Sequence, residues 1–272
     1  MDEVRGLQVT NEAGVLDLLL DDPGRLNPLT PNVIAALTDV LIASDRARQV
    51  HCAILHGAGR AFTAGGDARE VLPALQGEQG RVNAVELMRL TDRLLLVLSR
   101  VSFPVITVVH GWVAGAGLGV TGLSDWVIAE TNARFHFNVL ANGLLPDSGL
   151  VWTLVQNIGL LRTKQLLFSR ETLTAEQAES IGLACEVVAD GDGMGAAQKR
   201  ALAFVNGPFQ ALRTTKRMIH TNVNLTLEQA LEFEQAQVAL QLDSAEAREG
   251  LAAFAEKRTA QFPVPKPAPW FK

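Results

Sequence analysis

Apolar and polar residues recur with two different periods along this chain, and the mixture changes partway. Leu7–Thr10 and Val15–Leu20 are short apolar-rich runs separated by Asn11-Glu12-Ala13-Gly14, the signal of a β-hairpin. Leu29–Ser44 carries apolar residues at Val33, Leu37, Val40 and Leu41, one face of a helix, with Thr30 placed to cap it and Pro31 suited to its first turn. His51–His56, Pro104–Val109, Asp125–Ala129 and Cys185–Val188 are brief apolar runs that predict buried strands. Val82–Arg100 predicts a long amphipathic helix, and Thr174–Ile181 a short one capped by Thr174 with Glu176 and Gln177 behind it. A helix is also expected from Ser148. Beyond about Gly191 only helical spacing remains, at Ala196–Val205, Phe209–Ile219, Leu227–Leu240 and Ala245–Thr259. Strands alternating with helices, then helices alone, predict an α/β core over 1–200, a helical part over 201–260 and a Pro-rich tail over 261–272.

Composition narrows the function classes. A length of 272 residues with 48% hydrophobic and 19% charged residues is ordinary for a globular chain with a large core. A net charge of −5 argues against a general nucleic-acid binder. The N-terminal MDEVRGLQVT lacks the apolar stretch of a signal peptide, and no apolar run reaches membrane-spanning length, so a cytoplasmic protein without a membrane partner is expected. Cys52 and Cys185 both sit in apolar runs and read as buried core thiols, too far apart in sequence for a metal motif. There is no tyrosine, which excludes every mechanism that needs a Tyr acid.

Two glycine-rich segments each follow a strand and open a helix: Arg60–Glu70, with Gly65, Gly66 and Asp67, and Gly111–Gly119, with Gly115 and Gly117. Such junctions leave backbone N–H donors unpaired at the positive end of a helix, and two of them could aim at one oxygen as an oxyanion hole. The bland alternative is that these glycines only permit tight turns and close helix packing. A dinucleotide site is the weaker reading, because the third glycine of that pattern would fall at Val120.

The strings RLNPLT at 25–30, AFTAGGDARE at 61–70, FPVITVVHGWVAGAGLGV at 103–120, LTAEQAESIGLACEVV at 173–188 and AEAREGLAAFAEKR at 245–258 together resemble the enoyl-CoA hydratase/isomerase (crotonase) superfamily. The resemblance implies a spiral of ββα turns with a C-terminal helical trimerisation region, as a homotrimer or dimer of trimers. It implies an acyl-CoA thioester substrate and no separate cofactor. Its two oxyanion donors map to the N–H groups of Gly66 and Gly115. Its CoA-contacting loop maps to Ala64, Gly65 and Asp67, with Arg25 and Arg69 where basic residues lie near the CoA phosphates.

The family's hydratases add water with two glutamates, whose places here hold Gly119 and Val139, the latter expected in a short strand. Hydration needs a base for water and an acid for carbon, so hydratase activity is not expected. Asp147, in GLLPDSG, falls where Δ3,Δ2-enoyl-CoA isomerases and 1,2-epoxyphenylacetyl-CoA isomerases place a single proton-shuttling carboxylate, and where chlorobenzoyl-CoA dehalogenases place a nucleophile. Three readings stand: an isomerase using Asp147, a hydrolase or dehalogenase with Asp147 as nucleophile, and a non-catalytic acyl-CoA binder. The bland reading of Asp147 is a helix cap. Phe62, Trp112, Phe135, Phe137 and Leu144 are candidate lining for the acyl pocket. Phe135 and Phe137, with Leu144, Leu145 and Val139, are expected to enclose the carboxylate.

Overall fold

The computed structural model describes residues 4–67 and 77–262. Their elements run, in chain order, β1 (Gly6–Glu12), β2 (Val15–Asp21), α1 (Pro31–Ala47), β3 (Cys52–Gly57), β4 (Ala61–Thr63), α2 (Gly77–Arg100), β5 (Val105–Val109), β6 (Trp112–Ala114), α3 (Ala116–Leu123), β7 (Trp126–Glu130) and β8 (Arg134–His136). There follow α4 (Leu150–Ile158), α5 (Leu160–Ser169), β9 (Thr172–Thr174), α6 (Ala175–Ser180), β10 (Glu186–Val188), α7 (Gly193–Val205), α8 (Phe209–Asn222), α9 (Leu227–Leu242) and α10 (Ala245–Ala255). Arg69 and the tail from residue 263 lie outside the described residues.

Two sheets share the strands by turns. A larger sheet has the order β1-β2-β3-β5-β7-β10, and a smaller one β4-β6-β8-β9. The chain leaves β3, β5 and β7 of the first sheet and passes directly into β4, β6 and β8 of the second, then returns through a helical segment after β6 and β8. This repeat is the expected spiral of ββα turns. Pairing is parallel throughout except for the β1–β2 hairpin and the β8–β9 edge. The hairpin turns on Ala13 and Gly14, at φ 50° and 83°, a left-handed pair whose twist matches that of the flanking strands.

The parallel strands of the larger sheet are covered on both faces, so β3 and β5 read as continuous apolar runs instead of alternating ones. One face packs Leu18, Leu20, Leu55, Val105 and Val109 against α1 and α2; the other packs Ile54, Ile106 and Ile128 against α7. Each such side chain, sequestered from water, contributes roughly 2 kcal/mol of transfer free energy. Thr30 caps α1 by accepting the Val33 N–H at 3.4 Å, and Thr174 with Gln177 forms a reciprocal capping box on α6, as their spacing predicts.

Several expectations are corrected. The helix expected from Ser148 begins at Leu150 and is interrupted at Gly159, where α5 starts in a new direction. Val139 opens a 3-10 turn, Val139–Asn142, and not a strand. Cys52 is buried, its thiol pushed up to about 12 by loss of solvent and the neighbouring Asp125, with Lys216 opposing; Cys185 is exposed and is not a core thiol.

Candidate active site

Parallel pairing of β4 with β6, Ala61 opposite Trp112 and Thr63 opposite Val113, brings the ends of two neighbouring strands to one edge of the smaller sheet. The two glycine segments leave from those ends side by side. Gly65 at φ 84° and Gly115 at φ 53° press together: a methyl group added to Gly65 would lie 2.9 Å from the Ala114 carbonyl oxygen and 3.2 Å from the Ala116 nitrogen. Any larger residue would wedge the two loops apart, so here the close approach itself requires glycine.

The first loop is held from behind by the segment that carries RLNPLT. Asn27, buried and left-handed at φ 54°, donates its side-chain amide to the carbonyls of Ala58 and Ala61 at 2.8 Å and of Phe62 at 3.2 Å. Thr63 Oγ1 donates to the Asn27 carbonyl and accepts the Gly65 N–H at 3.0 Å. The Ala64 N–H reaches the Leu26 carbonyl, and the Leu29 N–H the Gly65 carbonyl. These bonds orient the corner, and the Gly66 N–H, on an exposed residue, has no protein acceptor among the described residues.

Across from it stands the N-terminus of α3. Gly115 precedes the helix, and the N–H groups of Gly115 and Ala116 likewise have no acceptor among the described residues. As the first residue of the helix, Ala116 directs its N–H outward at the positive end of the dipole. The structure therefore brings Gly66 and Gly115 together as expected and adds Ala116, whose N–H belongs to the peptide that the φ 53°, ψ −131° conformation of Gly115 turns. The sequence signal for it was the conformationally free residue just before a helix start.

Arg25 and Asp67 also meet. The Arg25 guanidinium is 2.9 Å from Asp22 and 3.3 Å from Asp67, a partly buried ion pair that ties the 22–27 turn to the end of the glycine loop. Ala64, Gly65 and Asp67 thus lie on one continuous rim with Arg25.

Asp147 enters from a different turn of the spiral. Ser148 and Gly149 are both left-handed, at φ 52° and 68°, and the Leu150 N–H bonds back to the Asp147 carbonyl at 2.9 Å. This is a tight reverse turn of the mirror-image type. The cap of α4 is Gly149, without a side-chain bond, so Asp147 is not a helix cap. The turn drives the Ser148 carbonyl onto α3 where Gly119 has no side chain; a methyl group there would collide with that oxygen. Gly119 lies four residues beyond Gly115, about 6 Å along the helix axis. The Asp147–Ser148 corner therefore abuts α3 one turn behind the N–H donors.

The carboxylate of Asp147 accepts from Ser148 Oγ at 3.2 Å and faces a cavity of about 300 Å³ with Met88, Asp92, Leu150, Val151 and Trp152 among its walls. The expected enclosure does not form. Asp147 is exposed, Leu144 and Leu145 point to solvent, and Phe135 and Phe137 are consumed by the core beneath α4. Phe62 is also core, and Trp112 is a half-exposed ring set edge-on to His136, whose Nδ1 pairs with Thr172 Oγ1 at 2.6 Å. Met88, Asp92 and Trp152 were missed because helical spacing alone did not show which face of α2 and α4 would meet the 143–149 corner. Among the described residues no cluster of His, Cys, Asp or Glu could hold a metal ion, and no helix is long and apolar enough to cross a membrane.

The sequence matches the enoyl-CoA hydratase/isomerase family over residues 10–264, and the chain belongs to that family. It is 34% identical to the 1,2-epoxyphenylacetyl-CoA isomerase of Escherichia coli K12, over 92% of this chain and 95% of that protein. It is 27% identical to the 2,3-dehydroadipyl-CoA hydratase of the same organism, over 94% and 98%. An enoyl-CoA hydratase from Polaromonas sp. JS666 superposes with a TM-score of 0.89 at 30% identity, over 94% of this chain and 99% of the other. Relatives named for each of the two activities thus match this chain over nearly their full length.

Proposed function

We propose that this member of the family is an acyl-CoA isomerase that moves a double bond, or opens a strained ring, by a proton shuttle on one carboxylate. The thioester oxygen rests between the Gly66 N–H and the donors at the start of α3, Gly115 and Ala116. The CoA portion follows the Ala64–Asp67 rim with Arg25. Asp147 takes a proton from the α or γ carbon; the electron pair moves onto the thioester oxygen as a dienolate, which the N–H donors stabilise by several kcal/mol. The same carboxyl group then returns the proton to the other end of the conjugated system. Acid and base act in sequence, so one group suffices.

The observation that carries this reading is the contact between Gly119 and the Ser148 carbonyl. A water-activating glutamate has no room at 119 while Asp147 stands on the corner that fills it, and Val139 supplies no second acid. Purified protein is to be mixed with a trans-3-enoyl-CoA and separately with a trans-2-enoyl-CoA, following the ultraviolet band of the conjugated thioester. Absorbance rising with the first and steady with the second supports the isomerase. Absorbance lost with the second means that water is being added and removes the reading in favour of a hydratase.

The helical part over residues 201–260 is proposed to associate with other copies, as a trimer or dimer of trimers. Its support is the apolar surface of α8–α10, where Leu227, Leu240 and Phe254 are 76%, 71% and 84% exposed.

A further inference from the structure

Next to the Asp147 cavity, and sharing Asp92, Gly149 and Trp152 with it, opens a larger cavity of about 1430 Å³. Four arginines line it: Arg48 at the end of α1, Arg100 at the end of α2, and Arg213 and Arg217 on α8. Arg217 bonds Gln237, whereas Arg48, Arg100 and Arg213 make no hydrogen bond or ion pair among the described residues. Lys216, beside them, is taken up by Asp125 at 2.6 Å and the Phe103 carbonyl at 3.1 Å.

The carboxylates nearby are mostly committed elsewhere. Glu246 accepts the N–H groups of Gln210 and Ala211 at 2.8 and 3.0 Å, and Asp45 accepts the Ser102 N–H at 2.8 Å. Among the described residues of the same wall, Asp92 is the carboxylate without such a bond. Arg48 and Arg100 have an ordinary explanation, since cations are favoured at helix C-termini. Arg213 has none. It lies near the positive end of α8, is half-buried and sits over the Phe209 ring with its guanidinium carbon 5.3 Å from the centroid. Burial works against its charge, Asp45 relieves this in part, and Arg48 and Arg217 repel it. A guanidinium held in that place, against like charges and without an acceptor, is arranged for an acceptor that comes from outside.

We propose that this cavity is an oxyanion-binding site that takes a carboxylate or phosphate group between Arg213, Arg48 and Arg100, set apart from the Gly66, Gly115 and Ala116 donors and independent of which reaction Asp147 performs. The anion is either a phosphorylated ligand of its own or the far carboxylate of an acyl group that passes Trp152.

The test is isothermal titration of the full chain with inorganic pyrophosphate and, separately, with adipate, at constant ionic strength set by sodium chloride. Saturable binding of at least one anion is expected, weakened about tenfold or more by Arg213→Gln, the loss of one charge-assisted contact. Binding of pyrophosphate alone assigns a phosphorylated ligand, and binding of adipate alone an acidic acyl terminus. Should Arg213→Gln fail to fold, the exposed Arg48→Gln carries the same expectation. No saturable heat from either anion, or equal binding by parent and folded variant, overturns the proposal.

Discussion

At the residue scale, Asn27 has the largest structural task in the site. One side chain fixes three backbone carbonyls of the 58–62 segment from within the protein. Asn27→Ala leaves buried acceptors unpaired and puts alanine in a left-handed conformation, so destabilisation of about 3 kcal/mol is expected in chemical denaturation, with thioester turnover lost alongside. Asp147→Asn keeps the size of the side chain and removes its basicity; the folded variant should lose isomerisation by at least about a hundredfold, read by the same ultraviolet assay. Retained activity would take the chemistry away from Asp147. The cysteines separate cleanly: native protein should react with one equivalent of a thiol reagent at Cys185, and with two after unfolding frees Cys52.

At the scale of elements, much of the fold was legible before any coordinates. The caps at Thr30 and Thr174 and the hairpin at 13–14 depend on contacts within a few residues, and local sequence specifies them. The strands β4, β6, β8 and β9 have three residues each, too few for a period to show, and they form because neighbours in the smaller sheet, parallel except at the β8–β9 edge, complete them. Of the candidate site, Gly66, Gly115, Arg25 and Asp67 could be nominated from the sequence because glycine and charge at a strand end carry chemical meaning by themselves. Ala116 could not, since its part comes from position on a helix and alanine advertises nothing. Asp147's surroundings were misread for a related reason. Proximity in sequence points to Leu144, Leu145 and Val139 as its neighbours, whereas the left-handed pair Ser148–Gly149 reverses the chain and gives it walls from α2 and α4 instead.

For the molecule as a whole, two histidines couple stability to pH. His51 stacks on Phe209 at 4.3 Å between centroids, and burial, with Arg213 adding to it and a Val205 backbone bond opposing, lowers its proton affinity. His220 is lowered as well, by burial first, with Asp125 opposing and Lys216 assisting. The unfolded chain binds protons at these positions before the folded one does, so stability is full above about pH 6.5 and falls as pH drops below it. The melting temperature should decline from pH 7 to pH 5, and His51→Phe should flatten that slope. His51 stacks on the first residue of α8 and His220 lies within that helix, so the decline should appear in probes of α8 as well as in global unfolding.

The contact between Gly119 and the Ser148 carbonyl bears on how such an enzyme could change its chemistry over descent. Gly119→Glu in this background should not yield a hydratase; overpacking against a backbone oxygen costs about 3 kcal/mol and would push aside the corner that carries Asp147. Melting temperature and hydration rate of that variant check it. An acid introduced at 119 alone meets the Ser148 carbonyl before there is space for it. A change of residue at 119 is therefore expected to require a change in the 143–149 segment, the tight turn acting as a lock on both.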